Sequence, residues 1–185
     1  VLGLWGLFAD SWLINAGATL WLAHGMVIAG YLIHECGHNT IFRSNRANAV
    51  LGEILVWMVG ASYTRYEDIR YKHFRHHMDN DDSVWFMYDE FLNRHPWLTR
   101  LIQFLEWFYI PAHDLMMHLI LVINGFVVPG WQDRRLRNVV VSLVRGGIFF
   151  SVLLVAPKAA ILYMVAYMLM MHVLRFMDSV QHDYG

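Results

Sequence analysis

The chain has eleven histidines, nearly as many as its fourteen lysines and arginines together. A neutral imidazole is a good ligand for first-row transition metals, so the placing of these residues decides what their abundance means. They cluster. His34-Glu35-Cys36-Gly37-His38 sets two histidines at i and i+4, on one face of a helix. His73-Phe74-Arg75-His76-His77 adds three at offsets of three and four, again on one helical face. His182 follows in Asp178-Ser179-Val180-Gln181-His182-Asp183-Tyr184-Gly185. Gathered imidazoles are costly to desolvate unless a metal or a hydrogen-bond partner uses them.

Two kinds of metal chemistry are open to such a set. Residues 34–38 match H-E-x-x-H, the zinc-protease pattern, with two histidine ligands and Glu35 as general base. A zinc site, however, needs only three or four protein ligands, and these groups offer six histidines. Surplus nitrogen ligands without a thiolate cluster suggest two metal ions, and imidazole suits iron. A pair of irons can bind O2 and take a hydrogen atom from an unactivated C–H bond, which proton transfer cannot reach.

The elements that must carry these groups are membrane helices. Of the 185 residues, 57% are apolar and 16% charged, with mean hydropathy +0.37. Soluble domains are roughly one-quarter charged. A net charge of −1 lacks the basic excess of a nucleic-acid binder, and the apolar content excludes a disordered chain. The single cysteine, Cys36, excludes an internal disulfide and a four-cysteine metal site. The uncharged stretch 12–33 is about 33 Å long as a helix, enough for a ~30 Å hydrocarbon core. Stretches 138–156 and 159–177 are predicted as two more spans, forming a hairpin about Ala156-Pro157-Lys158, with Arg145 snorkelling to the surface.

The remaining apolar stretches are predicted at the interface. In 98–108, Leu98, Leu101, Ile102, Leu105 and Phe108 recur at helical spacing, as in an amphipathic helix lying on a membrane. Residues 115–129 are too short to span and carry His118, Asn124 and Gly125, and so read as interfacial or re-entrant. Residues 47–61 are likewise short and hold Glu53. Basic residues from Arg43 to Arg137 crowd the region between the first two spans, so the positive-inside rule puts 34–137 on the cytoplasmic side. Two spans then separate the second histidine group from His182, an even number, and all three groups are predicted at one membrane face. No internal repeat or flexible linker interrupts 1–185, which reads as a single domain whose two ends look cut.

HxxxH, then HxxHH, then two spans and a further histidine resembles the membrane fatty acid desaturase family. The resemblance implies an all-α membrane protein of about three transmembrane helices, with a histidine cluster at the cytosolic face. It implies two non-haem iron ions and O2 as co-substrate for desaturation of a fatty acyl chain in a membrane lipid or acyl thioester. An electron donor of ferredoxin or cytochrome b5 type would be the partner. On this resemblance His34, His38, His73, His76, His77 and His182 are iron ligands, and Asp178 is a direct or water-mediated one. Glu35, Asp79, Asp81 and Asp82 would orient imidazole N–H groups, although a solvated acidic turn reads the same way. The family's third box, H/QxxHH, has no match here, and its first transmembrane helix is largely missing. A truncated piece is therefore expected, one that binds iron poorly and is inactive alone.

Other readings share parts of this pattern. A hydroxylase or ketolase on the same scaffold has similar boxes. An intramembrane zinc metalloprotease would use His34, Glu35 and His38. A haem electron carrier would use His24 and His172. Outside the boxes, His24 and His172 are expected to be buried among helices with polar partners, and His95, His113 and His118 to be interfacial. Arg65, Arg70, Lys72 and Arg75 suit an acidic electron donor or anionic headgroups, or are ordinary positive-inside residues. Trp12, Tyr31 and Trp131 read as interface anchors, and Cys36 and Gly37 as close-packing positions with no redox role.

Overall fold

The computed structural model describes residues 1–79 and 88–181, and for 76–79, 88, 89, 178, 179 and 181 the backbone alone. Among the described residues the chain is all helical, with no strand: α1 (Leu2–Gly6), α2 (Trp12–Gly37), α3 (Asn45–Met58), α4 (Tyr66–Asp79), α5 (Tyr88–Arg94), α6 (Pro96–Trp107), α7 (Ala112–Val127), α8 (Asp133–Val155) and α9 (Pro157–Gln181). They fall into two compact units, one of residues 1–31 and 122–185, the other of residues 32–121.

The first unit holds two candidate membrane spans and most of a third, whose last turns belong to the second unit. Trp12–Gly37, Asp133–Val155 and Pro157–Met177 are each long and apolar enough to cross a bilayer. They correspond to the predicted 12–33, 138–156 and 159–177. α8 begins five residues before its predicted start because polar side chains there have work to do. Asp133 sits in its first turn, where the helix dipole favours an anion. Arg135 donates to Gly125 O and Phe126 O, each at 3.1 Å, and so satisfies carbonyls at the end of α7. Buried Asn138 donates to Val122 O at 3.0 Å, and a Cβ on Gly125 would lie 2.5 Å from the same amide nitrogen. That close approach is what Gly125 permits. α7 itself is about 24 Å long, short of a ~30 Å hydrocarbon core.

α8 and α9 meet at Ala156, whose φ −142 and ψ 68 leave the helical region, as the residue before a proline must. Pro157 then opens α9 at a position where no N–H is needed. Lys158 donates to Ala9 O at 2.6 Å and lies over the Trp12 ring at 5.3 Å. Fully buried Asn15 donates to Gly6 O (2.8 Å), Leu7 O (3.3 Å) and Ala9 O (3.0 Å), tying the link between α1 and α2. The buried face of α2 runs through Asn15, Thr19, Ala23, Met26 and Val27. His24 falls one residue round from it and lies on the uncovered face, contrary to the expectation of burial.

In the second unit, Ser44 Oγ accepts from Ala47 N at 3.3 Å and caps α3. Asn48 ties the preceding loop down by accepting from Phe42 N at 3.1 Å and donating to Phe42 O at 2.7 Å. α6 buries Ile102 and leaves Trp97, Leu101, Phe104 and Phe108 exposed in one stripe, the pattern expected of an amphipathic helix. A break separates α6 from α7, between the predicted segments 98–108 and 115–129, where Tyr109 takes the left-handed φ of 56 and Pro111 follows.

Candidate metal centre

The centre is built where α2 stops. His38 N still bonds to His34 O at 3.2 Å, and Asn39 then turns left-handed with φ 57. Asn39 N bonds Cys36 O at 3.0 Å and Thr40 N bonds Glu35 O at 3.2 Å, which together make a Schellman closure. Asparagine is the non-glycine residue that best tolerates this conformation. His34 and His38 therefore sit one turn apart at the very end of the helix.

α4 brings the third imidazole. Its start is fixed by α3: Glu53 Oε2 accepts from Tyr66 N at 2.9 Å, while Glu53 Oε1 accepts from Trp57 Nε1 at 3.2 Å. A carboxylate at a helix N-terminus satisfies an orphan N–H and complements the dipole. The Tyr66 ring, 2% exposed, lies flat against Gly52. Burial, ahead of the nearby Cys36 thiol, pushes the Tyr66 phenol up to about 12, so it stays protonated. Cys36 is itself fully buried, as the packing reading expects. Gly37 is less constrained than expected, since a Cβ there would meet His73 Cδ2 at an ordinary 3.9 Å.

With α4 so placed, His34, His38 and His73 offer ring nitrogens that all lie within 4.8 Å of one another. Their ring centroids are 4.4–4.9 Å apart. His38 Nε2 and His73 Nε2 are 2.9 Å apart. Neighbouring ligands on one ion, at bonds of about 2.1 Å, stand about 3 Å apart, so the pair already has ligand spacing. His34 Nδ1 faces Glu35 Oε1 at 3.3 Å. A proton held there leaves Nε2 as the basic nitrogen. Glu35 is held in turn by the Thr40 hydroxyl, which donates to Oε2 at 2.6 Å and to Glu35 O at 2.9 Å. The site is half open, with 40% of the His34 side chain and 46% of the Glu35 side chain exposed.

His76 and His77 lie one turn beyond His73 on α4, with Asp79 at its end, and Asp178 lies on α9. His182, Asp81 and Asp82 fall outside the described residues. Three participants escaped the sequence reading. Thr40 has no local signal. Glu53 read only as a charge in an apolar stretch. Arg70 read as a surface charge, yet it donates from Nε to Gly37 O at 3.1 Å. Its i+4 spacing to Phe74 was the available hint, since the guanidinium lies 5.4 Å from that ring.

Glu35→Gln and Thr40→Val each loosen the His34 orientation without removing a ligand. Each is expected to weaken metal binding about tenfold, measured by Co(II) competition titration, with helix content unchanged.

The fatty acid desaturase family model matches residues 10–185. The chain belongs to the fatty acid desaturase family. Neither a curated protein nor a solved structure matches it. Membership implies a fatty acyl substrate and a membrane setting, in keeping with the three candidate spans. The family generally uses a di-iron centre, and the donor set here, three neutral nitrogens with an oriented carboxylate behind one of them, fits such a metal.

Proposed function

We propose that this site introduces a C=C bond into a fatty acyl chain carried by a membrane lipid or acyl thioester. The observation that carries the reading is the meeting of His34, His38 and His73 from two helices at one point. In this reading His76, His77 and His182 complete the ligand set for two irons, and Asp178 adds a direct or water-mediated contact. Asp79, Asp81 and Asp82 hold imidazole N–H groups. The irons, when bound, supply O2-dependent removal of two hydrogen atoms, with two electrons from the donor protein and two protons, giving two waters.

The chain's own residues do the positioning. Glu35 fixes which nitrogen of His34 is basic, and Thr40 fixes Glu35. This also weighs against the zinc-protease alternative. There Glu35 must face a metal-bound water, whereas here its two oxygens are taken up by His34 and Thr40. Lys72 and Arg75 lie on α4 beside His73, and with Arg65 they suit an acidic ferredoxin or cytochrome b5 type donor. The positive-inside distribution supports a cytoplasmic position for the histidines. A hydroxylase or ketolase would use the same site and differ only in product.

Metal analysis of the lipid-reconstituted chain, with mass spectrometry of acyl chains after supply of O2 and reduced donor, tests the reading. Iron in preference to zinc is expected, and any acyl product is expected to be unsaturated. One zinc without iron would sink it, and an oxygenated product would move it to the hydroxylase alternative.

A further inference from the structure

We propose that Arg70 is a positioning residue that holds His38 and His73 at ligand spacing before any metal arrives. The inference rests on the metal-site reading above and concerns how that site is preset. Arg70 stands on α4 one turn before His73 and reaches across to α2, donating to Gly37 O at 3.1 Å. That carbonyl belongs to the residue just before His38. Carbonyls in the last turn of a helix carry the negative end of its dipole, so a cation is well placed there.

The same guanidinium lies 5.4 Å from the centre of the Phe74 ring. Phe74 in turn stands edge-on to the His38 ring, with centroids 5.6 Å apart and planes at 77°. It also flanks His73, at 6.3 Å. Arg70 thus grips the backbone next to His38 and backs the ring that walls both imidazoles. A lysine could reach the carbonyl but would not stack as a plane on Phe74.

The test uses two readouts on the chain in lipid nanodiscs. In the metal-free protein, the 2.9 Å contact between His38 Nε2 and His73 Nε2 requires a shared proton, visible as a low-field imidazole N–H by 15N-histidine NMR. Arg70→Ala is expected to lose that signal and to bind Co(II) about tenfold more weakly, with helix content and melting little changed. Arg70→Lys is expected to recover only part of the affinity. Phe74→Leu, which leaves the charge in place, is expected to shift both readouts the same way and serves if Arg70→Ala does not fold. The proposal is overturned if Arg70→Ala keeps both the shared proton and the affinity, if it lowers only the melting temperature, or if Arg70→Lys matches the unaltered chain. An unaltered chain that shows the shared proton, loses it in Arg70→Ala, yet never binds Co(II) would uphold the positioning and remove the metal reading instead.

Discussion

His38→Ala and His73→Ala should each weaken metal binding by a hundredfold or more. A structural metal site with four ligands binds with roughly 10–16 kcal/mol, or about 3 kcal/mol for each ligand, and about 1.4 kcal/mol is a factor of ten. His38 and His73 present their Nε2 atoms to each other at 2.9 Å, so either loss removes half of the best-formed pair. Their double variant should be worse than either single one but by less than the sum of the two effects, because the two rings act on one ion. His24→Ala is the control: that ring lies on the uncovered face of α2, away from the histidine group, and its loss should leave affinity unchanged. Co(II) titration of the four variants beside the unaltered chain measures the effect. A His38→Ala chain with unchanged affinity would contradict the site.

The second large effect is expected from a residue that touches no ligand. Gly52→Ala puts a methyl group into the ring carbons of Tyr66, which is almost wholly buried and cannot swing out cheaply. Overpacking of this kind costs about 3 kcal/mol. Here the cost falls on the first residue of α4, where Glu53 also holds the backbone N–H of Tyr66. Displacing Tyr66 therefore displaces the helix that delivers His73, and metal affinity should fall together with stability. Gly146→Ala gives the contrast, since a Cβ there meets nothing within 4 Å. Alanine should be neutral or favourable by up to about 1 kcal/mol on helix propensity. Chemical denaturation in lipid or mild detergent compares the two. Equal stability of the Gly52→Ala and Gly146→Ala chains would refute the packing argument.

The spans and the pairing of His34 with His38 were legible because both rest on periodic, local signals. Twenty-two uncharged residues and an i/i+4 pair are readable without knowledge of a partner. His34 and His38 followed from helix geometry alone. That His73 would join them also required α2 and α4 to pack, and the contacts arranging this, Glu53 with Tyr66 and Arg70 with Gly37, join residues 13 and 33 positions apart. No window on the sequence spans them. Thr40 was invisible for a related reason. Its role depends on the left-handed turn at Asn39, which folds the chain back so that a hydroxyl reaches Glu35. His24 was misplaced because an apolar span has no polar face to reveal which side packs. A shift of one residue, about 100° of helix, decides between a buried and an uncovered ring.

α2 is a single uninterrupted rod about 39 Å long, and a hydrocarbon slab uses only ~30 Å of it. One piece of secondary structure is thus both anchor and instrument arm. Adding or deleting one residue between His34 and His38 would turn one imidazole about 100° from the other and take them out of reach of one ion. The spacing of His34 and His38 is therefore held to the residue, however freely the outward side chains earlier in the rod are exchanged.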